Sequence, residues 1–165
     1  MAANTMEARV VYPVELQSLE PAHTAAVRYR ARLTEIGSGI AAAYSEIGAY
    51  LRDRGIERGA TKTYLLVMPE GDEGLVEAGV TVTSPIEAAG RVEPGTLPGG
   101  QAAVALHIGP YTGLPAAYAA IRTWLVTNDC TSAGYPWEVY LNDPQQVAPE
   151  ALQTEVVWPI VQSGR

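Results

Sequence analysis

Residues 101–125 read QAAVALHIGPYTGLPAAYAAIRTWL, and the period of their apolar residues changes part-way along. As far as Ile108 the run is short, continuous and apolar, as in a buried β-strand. GPYTG then marks a turn, and Pro115 stands near the first position of a helix, where a missing amide hydrogen costs little. Beyond it Ala117, Tyr118, Ile121, Trp124 and Leu125 recur at spacings of three and four, which is the apolar stripe of a helix. A strand and a helix that each bury one face need further strands, so the flanking sequence must supply them.

It does so twice. RVEPGTL precedes the stretch across a Pro-Gly-Gly turn, and WEVYL and QTEVVWPI follow it as strands. The first half has the same order. VVYPVELQSL and TAAVRYRARL read as strands; Ile36, Ile40, Tyr44, Ile47 and Leu51 mark a helix with Gly55 at its C-terminal cap. TKTYLLVM and EAGVTVTSPI then read as strands joined by the polar turn PEGDEG. Short words recur at similar offsets: AAV at Ala25 and Ala102 (77 positions), YL at Tyr64 and Tyr140 (76), PI at Pro85 and Pro159 (74). The expectation is an α+β fold made of a duplicated unit, half one spanning about 10–88 and half two about 91–161 of a single domain. Its antiparallel sheet carries both helices on one face and leaves the opposite face free for function.

The chain has 165 residues, 47% of them hydrophobic, enough for one ordinary core. Eleven Lys and Arg against 18 Asp and Glu give a net charge of -7, the wrong sign for direct nucleic-acid binding or an anionic membrane, and cationic partners fit better. The opening MAANTMEARV lacks a basic segment followed by an apolar one, and no apolar run approaches a membrane span, so a cytoplasmic protein is expected. A lone cysteine, Cys130, excludes an intramolecular disulfide and a cysteine zinc cluster. His107 has no second histidine at metal-ligand spacing, and PGG and IGSG lack the context of a phosphate loop, so no metal and no cofactor is expected.

Residues 135–144, YPWEVYLNDP, pose the chemical question, because Glu138 sits inside a strand of aromatic and branched residues. Alternation puts Glu138 and Tyr140 on one face and Trp137, Val139 and Leu141 on the other. If the apolar set packs under the helices, Glu138 and Tyr140 face the open side. A partly desolvated carboxylate among aromatic rings suits a delocalised cation. The alternative is a cross-strand pair with Arg28 or Arg30, which with Arg32 line a strand face expected to be solvated. The offset of 76 aligns Glu138 with Lys62 of the first half.

HIGPYTGLPAAYAAIRTWL, PWEVYLNDP and TEVVWPI, in that order, resemble the second half of a GyrI-like domain, the small-molecule effector-binding fold also attached to some AraC-type and MerR-type regulators. VELQSLEPAHTAAVRYR and GAYLRDRG resemble its weaker first half, so the resemblance covers nearly the whole chain. It implies pseudo-twofold units with a groove between them for lipophilic, often cationic, aromatic compounds, and Glu138 as the acidic group at the groove's base. No helix-turn-helix segment precedes the domain, so a stand-alone member that does not itself bind DNA is expected.

The candidate ligand contacts are Glu138, Tyr140, Tyr111, Trp137 and His107, with packing as the competing reading for Tyr111 and a structural role for His107. Tyr118 is assigned to the helix stripe and hence to the core. Three function classes remain: a binding module for lipophilic cations and aromatic drugs and, as the resemblance further implies, a hydrolase that opens cyclopropane rings of DNA-alkylating natural products, with Glu138 and Tyr140 (or Tyr111) catalytic, or a protein-binding modulator such as a gyrase inhibitor. A homodimer is compatible with each.

Overall fold

Two helices set the plan. The structure, a computed structural model, describes residues 12–56 and 62–162; the opening MAANTMEARV and the Val10–Val11 start of the first expected strand lie outside them. Helix α1 (Ile40–Asp53) and helix α2 (Leu114–Thr127) are each 14 residues long and bury the same positions: Ala43 and Ala117 fourth, Ile47 and Ile121 eighth, Leu51 and Leu125 twelfth. The fifth position of each is a tyrosine, Tyr44 and Tyr118. Pro115 is in the first turn of α2, and Gly55 beyond α1 adopts the left-handed conformation, φ +62°. The first helix starts later than its periodicity suggests, because Ile36–Gly39 forms a 3-10 turn.

Nine strands accompany them: β1 (Val14–Leu19), β2 (Ala22–Arg32), β3 (Thr63–Glu70), β4 (Glu73–Val82), β5 (Val92–Leu97), β6 (Gly100–Ile108), β7 (Cys130–Ser132), β8 (Trp137–Tyr140) and β9 (Gln153–Gln162). The short β7, not foreseen from sequence, pairs with the end of β9; His23, expected in a loop, lies in β2; and β3 and β4 extend through PEGDEG to a turn at Gly71–Asp72. The main order is β1-β6-β9-β8-β3-β4-β2-β5, and every pairing is antiparallel. It reads the same from either edge once each strand is exchanged for its counterpart in the other half. The first strand of each half pairs within the other half, β1 on β6 and β5 on β2.

Such an order cannot lie flat. Strands β1 and β2 are six places apart, about 29 Å in a flat sheet, yet only Glu20 and Pro21 join them. Pro98 and Gly99 make the same short link from β5 to β6. The sheet therefore curls until its two corners meet, and a Cβ on Gly99 would lie 2.6 Å from the Pro21 ring. Inside the curl Tyr64, Leu97, Ala102, Val104, Trp137, Val139 and Val157 form their own core.

Register fixes which face each side chain shares. One row runs across all eight strands: Val14, Ala105, Val156, Glu138, Leu65, Ala78, Val27, Val92. Val27 and Ala78 pack with α1, and Ala105 and Val156 with α2, so both helices lie on the face that carries Glu138. The expectation that Glu138 would face an open side away from the helices is thereby corrected: the curl already provides a core for Trp137 and Val139 on the other face. The offset is corrected too. Exchanging halves carries Val14 to Val92, Val27 to Ala105 and Ala78 to Val156, 78 positions each, whereas Leu65 goes to Glu138, 73 positions. The counterpart of Glu138 is Leu65 rather than the exposed Lys62.

Candidate functional site

Strands β3 and β8 run side by side at the centre of the sheet between the two helices, since α1 lies chiefly over β4 and β2 and α2 over β6, and Tyr44 and Tyr118 reach from the helices across the seam. The gap is a groove whose floor is Leu65, Val67 and Glu138, extended by Pro69, Tyr118, Tyr135 and Pro136 to a cavity of about 280 Å³. Glu138 is the only charged residue in its row, with Val156 on one side and Leu65 on the other.

Two phenols hold it. Tyr118, from α2, donates to Oε2 at 2.7 Å, and Tyr140, two residues along β8 on the same face, donates to Oε1 at 2.7 Å. Burial first, and the charge of Glu138 second, push both hydroxyls well above the ordinary tyrosine range, so each stays protonated and remains a donor. Tyr44, the matching residue of α1, is raised chiefly by burial and donates to the carbonyl of Tyr64. Tyr111 sets its ring edge-on to Tyr140, centroids 5.7 Å apart, and is itself partly exposed. Tyrosines from both helices, from β8 and from the turn before α2 thus surround one carboxylate.

Among the described residues no cation pairs with it. The ion pairs among the described residues are Arg28 with Glu77 and Glu93, Arg30 with Glu70, and Arg91 with Glu46. The alternative pairing of Glu138 with Arg28 or Arg30 is therefore not what forms. Nor is Arg28 merely solvated: Glu77 is buried on the curl side, takes Arg28 Nε at 2.7 Å and accepts from Tyr64 Oη at 2.6 Å. One carboxylate of the sheet interior is charge-compensated, and the other is left to accept only from phenols.

The expected residues divide. Glu138, Tyr140 and Tyr111 come together. Trp137 does not join them, because it points into the curl and is 4% exposed. His107 is buried with both ring nitrogens occupied, Nδ1 by Tyr12 Oη at 2.9 Å and Nε2 by the carbonyl of Pro110 at 2.7 Å, so it braces the turn that carries Tyr111. Tyr118, expected in the core from its stripe, and Tyr44, expected only as part of the first helix's periodicity, both reach the seam instead. The available signal was their shared fifth position in two helices of like pattern. Cys130 is buried in the α2 core, and the described residues contain no cluster of His, Cys, Asp and Glu suited to a metal ion. None of the described helices is long and apolar enough to cross a membrane.

The chain matches the GyrI-like small molecule binding domain over residues 12–161. No curated protein matches it. Among solved structures it is similar to EcmrR in an EcmrR–DNA complex, at 18% identity and a TM-score of 0.80, over 92% of this chain and 58% of that one, so it spans little more than half of that protein. It covers 99% of the EcmrR C-terminal domain, at 16% identity over 92% of this chain and a TM-score of 0.73. It is also similar to SAV2435 bound to tetraphenylphosphonium, at 15% identity and a TM-score of 0.67, over 90% of this chain and 94% of that one. A hydrolase from Listeria innocua shares 13% identity and a TM-score of 0.64, over 90% of this chain and 91% of that one. At these identities the likeness is one of fold.

Proposed function

The chain belongs to the GyrI-like small-molecule-binding family, and from that membership we propose that it takes up lipophilic, cationic or aromatic compounds in the groove over β3 and β8, with Glu138 as the anionic base. The observation that carries this reading is a half-buried carboxylate that accepts from two phenols and pairs with no cation among the described residues. Leaving a charge uncompensated in an apolar row costs stability, and a cationic ligand removes that cost on binding. The tyrosine faces add attraction for a delocalised cation. The phosphonium ligand of the fold relative SAV2435 has that chemistry.

The decisive comparison is between tetraphenylphosphonium and tetraphenylborate, which share shape and differ in charge. Calorimetric titration is expected to show the cation bound at least tenfold more tightly, which is about 1.4 kcal/mol, with the preference lost in Glu138→Gln. Equal affinity for both ions in the native protein removes the reading.

A hydrolase is the second reading, favoured by the same phenols. A carboxylate could orient water while Tyr140 donates to a developing oxyanion, and one fold relative is a hydrolase. Both carboxylate oxygens of Glu138 already accept a phenol, an arrangement better suited to a fixed charge than to a base that exchanges protons. Single-turnover incubation with a cyclopropane-bearing alkylator separates the two: recovery of unchanged compound supports the binding module, and ring opening lost in Glu138→Gln supports the enzyme.

A further inference from the structure

The groove has two unlike ends and two unlike sides. Along β3 the residues facing it are Leu65, Val67 and Pro69, and along β8 they run the opposite way, from Glu138 to Pro136 and Tyr135. Past Glu138 in the other direction Tyr140 and Tyr111 close the seam. The carboxylate is therefore at the inner end, and the outer end opens between Pro69 and the exposed Tyr135. From the level of Leu65 to that of Pro69 is four residues of strand, about 13 Å. Nothing on the β3 side carries charge until the exposed Glu70, which is paired with Arg30.

Resting on the cation reading above, we propose that the groove selects by charge number and length: it takes an amphipathic monocation end-on, with the charge at Glu138 and a slender apolar body over Leu65, Val67 and Pro69. The exchange of halves explains the single charge, because the counterpart of Glu138 across the seam is Leu65. With a carboxylate on both strands the pocket would hold two cations or none. With one, the first-half strand becomes a hydrocarbon track, and residues that touch no charge decide which cations fit.

Alkyltrimethylammonium ions of increasing chain length are the probe. Affinity is expected to rise by up to about fourfold per methylene until the tail reaches Pro69, near decyl, and then to level off. Val67→Ala flattens that rise, lowering affinity for decyltrimethylammonium by a larger factor than affinity for tetramethylammonium. The second probe is a gain of function. Pro69→Glu sets a new carboxylate at the exposed end of the track, and the affinity ratio of decamethonium to decyltrimethylammonium is expected to increase tenfold or more. A variant that failed to fold could not produce that gain. Binding of alkylammonium ions with no dependence on chain length, or a decamethonium ratio unchanged in Pro69→Glu, overturns this proposal and leaves the cation reading intact. Failure of every cation to bind the native protein overturns both.

Discussion

Glu138 and Glu77 lie on strands β8 and β4 of one sheet, separated only by β3, yet they meet opposite fates, and the cause is the face each one takes. Glu77 points into the curl, where Arg28 reaches it, and Glu138 points into the gap between helices, where Tyr118 and Tyr140 do. Arg28→Ala strands Glu77 in the interior and is expected to cost about 3 kcal/mol in chemical denaturation, against about 0.5 kcal/mol or less for the exposed Arg30→Ala. Glu138→Gln keeps one acceptor oxygen and turns an amide NH2 to the other phenol, whose oxygen can accept from it, so its midpoint of thermal unfolding should stay close to that of the native protein while cation affinity collapses. Tyr44, Tyr64, Tyr118 and Tyr140 carry the alkaline counterpart: burial, then the nearby charge of Glu77 or Glu138 for three of them, raises their hydroxyls above the ordinary value. Their contribution to stability is complete below the ordinary tyrosine value of about 10 and is lost as pH rises beyond it. Ultraviolet titration of the nine tyrosines should therefore split, with one fraction ionising near pH 10 and another only as the protein unfolds. A single smooth titration of all of them would contradict the buried phenol cluster.

At the scale of elements, the helices were legible because a helix writes its buried face at fixed spacing, and Ala43, Ile47 and Leu51 match Ala117, Ile121 and Leu125 step for step. Ile47→Ala and Ile121→Ala, both at fully buried sites, are expected to destabilise to a similar extent, about 2–5 kcal/mol each. A difference of several kcal/mol would mean that the two helix seats are not equivalent. The strands were harder. Alternation tells which residues share a face and says nothing of which face meets the helices; here both faces bury apolar side chains, so Trp137 and Val139 gave no direction. Word matches such as Tyr64 with Tyr140 misled for the same reason, since those two residues point to opposite sides of the sheet. The site was half legible. Glu138 is conspicuous as a charge in an apolar strand, whereas Tyr118 is indistinguishable from a core residue until its hydroxyl is seen to reach across to β8.

For the whole molecule, the exchange of edge strands changes what counts as a unit. Half one lacks a neighbour for β1 until β6 exists, and half two lacks one for β5 until β2 exists. A chain cut in the segment between β4 and β5 should yield two fragments that are each unstructured or aggregation-prone, and that regain the ordered spectrum of the intact protein only when mixed. If either fragment folds alone to its native secondary structure, the exchange is dispensable. The groove belongs to neither piece, because its floor is the seam itself, β3 from one and β8 from the other. A cation bound at the proposed site would act as a fastener between polypeptides. In the cut protein, ligand concentration would set how tightly the fragments hold together, and the domain would work as a chemically induced dimer whose two subunits happen, in nature, to be covalently joined.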